Sequence, residues 1–531
     1  MIYNKSMTKM SISDHRRLFV LGLGAVLATA VTQPLLSAPF SWWPLHWISW
    51  VPFLWALSVS PTRRRISLSI LAGTVANLLI FYWMINLMPN FTNIALPVSI
   101  IMVVTLCGYL ALNWMLLAWV VPKLWARFPR TWFYLAPTIL VTGEFFLPQL
   151  FPYMQGASHY QVLPIAQLSS ITGIYGVSFL LFFANCVIFH ILKQFGERRV
   201  FAWKPLVVLV ILVGLVLGYG LSRIETYNQR QAGARTLTVG LIQSNYRPAD
   251  HRELGFQSVH NTYLDLSREA AEKGAEWIIW SEGEFSLDVN GELGRRILTQ
   301  ASATVGRPIL TGGYGGEIVE GKRRFRNSAI HADPKDGLGR RYDKRVLVPF
   351  GEYMPLDRYL SFIYDKINWR SRFYPGEDPM VQQLEGIPYG FLICYEAIYP
   401  KLSRDAVNDG ARLLVNVTYD AWFGRTTAPY QHLMLAVIRS TETGVPMIRL
   451  ATTGVSTTAD ALGRMSTLTP LYERNVAVHK IPLVYMKSIY TSIGDLFAWL
   501  CVLICLGSIG IVLFRPIAGG RRSTPTHDLS S

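Results

Sequence analysis

A thiol, carboxylates and a lysine occur in three short stretches whose residue types suit nucleophilic acyl chemistry. The apolar run Pro388-Tyr-Gly-Phe-Leu-Ile-Cys394 ends abruptly in Cys394, Tyr395 and Glu396, as a buried strand delivering a thiol to a turn would. Of the five cysteines, Cys107, Cys186, Cys501 and Cys505 lie inside long apolar segments. Cys394 therefore has no partner for an internal disulfide in water-exposed chain. It is either a small buried hydrophobe or a nucleophile.

A nucleophilic thiol needs a base for its proton and a positive group or N–H donors for the oxyanion. In Ile278-Ile-Trp-Ser-Glu282-Gly-Glu284 an apolar strand runs into carboxylates at its carboxyl end, where open α/β sheets hold ligands. Glu282 could serve as general base, with Glu284 the weaker competitor; the ordinary alternative is a strand exit with solvated acids. Tyr342-Asp-Lys344-Arg-Val-Leu-Val-Pro-Phe-Gly-Glu352-Tyr sets a lysine before an apolar run and an acid in the loop beyond. Lys344 could hold an oxyanion, or could be an exposed edge-strand lysine.

The elements that must position these groups divide the chain in two. Its 531 residues are 51% hydrophobic and 16% charged, with mean hydropathy +0.27, against about 25% charged in soluble domains. Apolar stretches long enough to span a bilayer fall near 18–37, 40–60, 66–88, 94–121, 131–151, 166–192, 205–221 and 490–514, about eight transmembrane helices. The first could instead be a signal peptide, with Arg16 and Arg17 ahead of it and Ala28-Thr-Ala30 as a cleavage site. The net charge of +16 could suit nucleic acid, but the basic residues cluster beside apolar segments, which fits membrane orientation better. Lys5, Lys9, Arg16 and Arg17, then Arg63 to Arg65, Lys123 with Arg127 and Arg130, Lys193 with Arg198, Arg199 and Lys204, and Arg515 with Arg521 and Arg522 all fall on one side if every segment crosses. The region 222–489 is then extracytoplasmic.

That region alternates strand-like runs at Thr236–Gln243, Trp277–Trp280, Pro308–Leu310, Arg345–Val348, Tyr389–Cys394, Leu413–Val417 and Met447–Leu450 with helical patterns near 255–273, 291–304 and 429–443. A layered α/β domain follows. The expected division is a transmembrane domain over 1–221 carrying spans one to seven, a catalytic domain over 222–489, an eighth helix over 490–514 and a polar cytoplasmic tail over 515–531. His46, His159 and His190 are too scattered for a metal site, and no phosphate-binding glycine loop or zinc-type cysteine cluster occurs. No metal and no cofactor are expected.

Trp280-x-Glu282, then Asp343-Lys344-Arg with Val348-Pro-Phe-Gly-Glu352-Tyr, then Ile393-Cys394-Tyr-Glu396, behind a multi-span amino-terminal half, resembles the bacterial apolipoprotein N-acyltransferases. These are the membrane branch of the nitrilase, or carbon-nitrogen hydrolase, superfamily. Asp420-Ala-Trp-Phe-Gly424, Gln431-His432, Arg439, Glu442, Gly173-Ile-Tyr-Gly-Val-Ser-Phe179 and Asn185 extend the likeness over nearly the whole chain. The resemblance implies an αββα sandwich on eight transmembrane helices in a bacterial inner membrane, with the sandwich on the periplasmic side. It implies Glu282 as base, Lys344 as oxyanion partner and Cys394 as nucleophile, supported by Glu352, Tyr395 and Glu396. The reaction implied is transfer of an acyl chain from a membrane phospholipid, through a thioester, to the α-amine of a diacylglyceryl-cysteine on an apolipoprotein, by a monomer that binds no nucleic acid.

Two alternatives stay open: a membrane-tethered amidase using the same three residues, and a catalytically silent binding protein on the same fold. The chain departs from the family pattern at Ser281, Tyr419, Thr452 and in Asn245–Gly255, where a tryptophan is missing, which bears on substrate choice. Glu144, within the fifth span, has Leu147 where the family has an arginine; a structural role tying helix ends is expected. Apolar stretches at Tyr353–Ile363 and Ala421–Phe423 could be lids that admit acyl chains, or packed core.

Overall fold

In a computed structural model of the chain, the described residues are 12–92, 94–283, 285–319, 322–355, 359, 373–377 and 381–514. Glu284, Lys5, Lys9, the basic residues and tail beyond 514, and most of the 353–363 stretch lie outside them.

Six described helices are long and apolar enough to cross a membrane: Arg16–Leu36, Thr62–Phe81, Leu96–Arg127, Ile174–Arg198, Trp203–Gln231 and Leu496–Phe514. The segments read as spans at 40–60 and 131–151 fold as shorter helices, Val51–Val59 and Trp132–Phe146. Proline accounts for the shortening: Pro44 and Pro52 sit at the starts of separate turns, and Pro148 and Pro152 follow the second helix. Arg64, beyond the first, lies 4.8 Å over the ring of Phe19 at the start of the opening helix. In the second, Trp132 meets Trp125 at 5.3 Å while Phe145 meets Tyr175, at the far end of the helix Ile174–Arg198, at 5.4 Å.

Among the described residues, Arg65, Lys193 and Arg198 lie at the bundle end away from the α/β region, whereas Arg223 and Arg230 donate to the carbonyls of Met486 and Tyr485. Helix Ile174–Arg198 starts at Ile174, whose N–H donates to Glu442 of the α/β region, and ends in Arg198. Helix Trp203–Gln231 starts beside Lys204 and leads straight into the first strand.

The α/β region is four layers. An eight-stranded sheet has the order β13-β1-β2-β4-β5-β6, with β3 (Phe285–Asp288) on β4 and β7 (Tyr342–Asp343) on β5. Its strands are β1 (Thr236–Gln243), β2 (Trp277–Ile279), β4 (Ile309–Val319), β5 (Lys322–Asp333), β6 (Gly337–Leu338) and β13 (Asn475–Pro482). A five-stranded sheet, ordered β12-β11-β10-β9-β8, is built from β8 (Val381–Leu384), β9 (Ile387–Ile393), β10 (Leu413–Thr418), β11 (Met447–Ala451) and β12 (Thr457–Ala459).

Alternation along each strand sorts its two faces. Val239, Leu241, Trp277, Ile279, Tyr389, Phe391, Val415 and Val417 pack together between the sheets. Ile278 and Trp280 face Val259 and Leu298, on the helices Pro248–Glu272 and Glu292–Val305. On the other side, Leu392 and Leu414 meet the helices Pro400–Asn408 and Ala428–Thr443 in a core shared with Phe81, Trp83 and Tyr175 of the membrane part. The result is an αββα sandwich on a helical membrane domain.

Arg345–Val348 is not a strand. Its N–H groups go to side chains instead: Arg345 and Val346 to Glu396, and Val348 to Glu352. The apolar run is a loop wrapped around two buried carboxylates.

Asn185 fixes the membrane part internally. Fully buried, it accepts from the Trp50 N–H at 2.8 Å and donates to the carbonyls of His46 and Leu181, each at 2.8 Å. Asn185→Leu leaves the Trp50 N–H and the His46 carbonyl without their partner, so thermal unfolding in detergent should reveal a loss of roughly 1–3 kcal/mol.

Candidate active site

Glu282, Lys344 and Cys394 line one cavity of about 110 Å³. Each arrives by a different route. Glu282 follows β2 where the strand turns out at Gly283, whose φ is +70°. Lys344 follows β7, its N–H donating to the Asn327 carbonyl on β5 at 2.8 Å. Cys394 follows β9 and opens a single helical turn with φ +50°, in the left-handed region that non-glycine residues rarely occupy.

The cysteine's backbone is held from behind. His432 Nε2 lies 3.2 Å from the Cys394 carbonyl oxygen, and its Nδ1 lies 3.0 Å from Asp420 Oδ1. Arg449, also buried, bridges Asp420 Oδ2 at 3.0 Å and Asn416 Oδ1. Glu396 is fully buried and does not border the cavity: it collects the N–H groups of Ile393, Arg345 and Val346 and the hydroxyl of Tyr342. It clamps the strand end to the lysine loop. Tyr395 does line the cavity, its hydroxyl donating to the Leu150 carbonyl and accepting from Tyr399.

Lys344 is 1% exposed. Its Nζ donates to Glu352 Oε1 at 2.8 Å and lies 3.5 Å from Glu282 Oε1. Asn327 Nδ2 donates to both acids, at 2.7 Å to Glu282 and 2.8 Å to Glu352. The Tyr419 N–H takes the other oxygen of Glu282 at 2.9 Å, and the Val348 N–H that of Glu352 at 2.8 Å. Burial works against the ammonium, but the carboxylates of Glu352 and Glu282 outweigh it and hold the pKa of Lys344 above its usual range.

The thiol is pushed the same way by different causes. Burial and then the Glu282 carboxylate raise the pKa of Cys394, with Lys344 opposing them. A resting thiol beside a carboxylate, with an ammonium close by, can lose its proton as it attacks and have the new negative charge met.

The remaining wall is mainly apolar and is shared: Trp83, Met84, Leu87, Met88, Leu150 and Phe151 come from the membrane part, and Val348, Phe350, Trp422 and Phe423 are among those from the α/β region. Ala421–Phe423 is thus partly cavity wall. Trp83 is anchored from the other domain, donating to Gln431 Oε1 at 3.0 Å. Among the described residues no group of three or more His, Cys, Asp or Glu side chains is placed to hold a metal ion.

All six residues singled out in the sequence are here, five on the cavity and Glu396 behind it. Asn327, which joins the two acids, carried no signal in the polar strand β5. His432 and Asp420 lay in a matching stretch without an assigned role. The departures from the family pattern meet one another: Thr452 Oγ1 donates to Ser281 Oγ at 2.9 Å, and the Tyr419 hydroxyl to the Tyr246 carbonyl at 3.1 Å. Glu144 accepts from the Gln155 N–H at 2.9 Å, joining the end of its helix to the following turn.

Because the raised thiol stays protonated, alkylation of Cys394 by iodoacetamide, followed by peptide mass spectrometry, should climb with pH through about pH 9 without levelling. A plateau reached between about pH 6 and 8 would reveal a resting thiolate and contradict this electrostatic picture.

Two family models match the chain: the apolipoprotein N-acyltransferase N-terminal domain over residues 25–187 and carbon-nitrogen hydrolase over residues 238–491. The chain is similar to an apolipoprotein N-acyltransferase of Geobacter metallireducens, 33% identical over 90% of this chain and 92% of that one. It is also similar to one of Vibrio cholerae, 27% identical over 88% and 92%. A solved amidase from Nesterenkonia sp. is 21% identical over 48% of this chain and 92% of that one, with a TM-score of 0.36. With its multi-span helical half and its carbon-nitrogen hydrolase sandwich, the chain belongs to the apolipoprotein N-acyltransferase family of multi-pass bacterial membrane proteins.

Proposed function

We propose that this protein is an acyltransferase that moves an acyl chain from a membrane phospholipid to the α-amine of a diacylglyceryl-cysteine at the amino terminus of an apolipoprotein. The observation that carries this reading is the shared wall: Glu282, Lys344 and Cys394 border a cavity that Trp83, Met84, Leu87 and Met88 of the membrane part also line. A thiol, a base and a cation beside a lipid-compatible chamber suit an ester with a long apolar tail.

In the first half-reaction Glu282 accepts the thiol proton while the Cys394 sulfur bonds to the ester carbonyl carbon. Lys344 meets the oxyanion. Collapse breaks the carbon–oxygen bond, and the departing lysophospholipid oxygen takes the proton from Glu282, leaving a thioester. In the second, the amine nitrogen bonds to the thioester carbon, Glu282 accepts a nitrogen proton, and the carbon–sulfur bond breaks as the sulfur regains one. Glu352 and Asn327 hold the lysine and the base in place; Tyr395 and Glu396 support the cysteine turn.

The helical part is read as eight passes, the two short helices included, in a bacterial inner membrane. The basic bundle end is then cytoplasmic and the sandwich periplasmic. Spans one to seven lie within 1–221, the catalytic domain within 222–489, and a single chain supplies every site residue.

Incubation with phospholipid alone should add an acyl mass to intact wild-type protein and none to Cys394→Ala. Adding a diacylated lipopeptide should discharge it to triacylated peptide. Free fatty acid without triacylated peptide would favour the tethered hydrolase instead. Lys344→Ala should slow acyl-enzyme formation by about 10²-fold or more.

A further inference from the structure

A second cavity, of about 350 Å³, lies across the same base. It shares Glu282, Glu352, Tyr419 and Trp422 with the apolar cavity, but its other lining residues include His251, Ser286, Tyr314 and Phe373. Every described residue on its wall comes from 251–422, and none from the membrane part. Among those residues there is no lysine or arginine. Its acids are Glu282 and Glu352, and its aromatic surface includes Tyr314 stacked on Phe373 at 5.8 Å and an interplanar angle of 11°.

Among the described residues this wall offers a phosphate no lysine or arginine to pair with. Aromatic faces such as the Tyr314–Phe373 stack favour an ammonium group, and the paired acids Glu282 and Glu352 add no positive charge of their own. We infer that the second cavity is the acceptor's vestibule: it takes the α-ammonium and the first residues of the incoming polypeptide, while the acyl chain stays in the apolar cavity. This rests on the acyl-transfer reading above and adds where the peptide enters.

Glu282 borders both chambers, so the amine can reach the thioester without crossing the acyl chain. The ammonium releases one proton to water through the open vestibule. A second passes by way of Glu282 to the sulfur as the carbon–nitrogen bond forms and the carbon–sulfur bond breaks. Tyr419, at a position where this chain departs from its family, stands on both walls, which makes it a candidate for setting which peptides enter.

Two variants of opposite kind test the vestibule in full-length protein in detergent. Ser286→Trp fills it from an exposed position on β3, and Tyr314→Ala removes half of the aromatic stack. Acyl-enzyme formation from phospholipid should stay within about twofold of wild type, whereas the KM for a diacylated lipopeptide should rise about tenfold or more. Lipopeptide turnover at wild-type KM in both variants overturns the inference and leaves the acyltransferase reading standing. So does slowing of acyl-enzyme formation that follows head-group size while lipopeptide transfer is spared, which would make the cavity a head-group exit. Absence of any acyl-enzyme in wild type would bring down the acyltransferase reading and the vestibule with it.

Discussion

The site depends on one buried cation. An ammonium as enclosed as that of Lys344 costs several kcal/mol to desolvate unless opposite charge and hydrogen bonds offset it. Here Glu352 and Glu282 supply the charge, and Asn327 ties the two acids together so that neither can turn away. The carboxylates are stabilised in turn by the N–H groups of Tyr419 and Val348. Removing any one member strands the others without solvent, so the cluster is a single unit, and the elements that carry it are fixed relative to one another by its electrostatics.

The thiol lives inside that unit's field. Its turn occupies a strained backbone region, and Asp420, His432 and Arg449 lie behind it as a second buried polar chain ending at the Cys394 carbonyl. Charge in front and hydrogen bonds behind together leave the sulfur little freedom of position. Such preorganisation lets a modest base suffice.

How much of this was legible in the sequence follows from the physics of each element. β1, β9, β10 and β11 are buried over most of both faces and read as mainly apolar runs despite Asn416 and Arg449, so they were placed to within a few residues. β5, beginning Lys-Arg-Arg-Phe-Arg-Asn, has no such signal, and with it went Asn327. Arg345–Val348 misled because its apolar side chains suggest a strand, whereas its N–H groups had been claimed by Glu396 and Glu352. Glu282, Lys344 and Cys394 drew notice because each sits in a short, unusual motif; the cavities between them were not legible, since their walls come from segments far apart along the chain.

The helix Ala428–Thr443 has a consequence beyond the reaction. All of its residues except Tyr430 are buried, with the sandwich on one side and the core shared with Phe81, Trp83 and Tyr175 on the other. A helix enclosed on every side has no face to offer water. Severing the hydrolase-like half from its lipid-embedded partner would leave a greasy scar instead of a free-standing enzyme. Any lineage that set this chemistry loose from the bilayer would have had to rewrite that helix first.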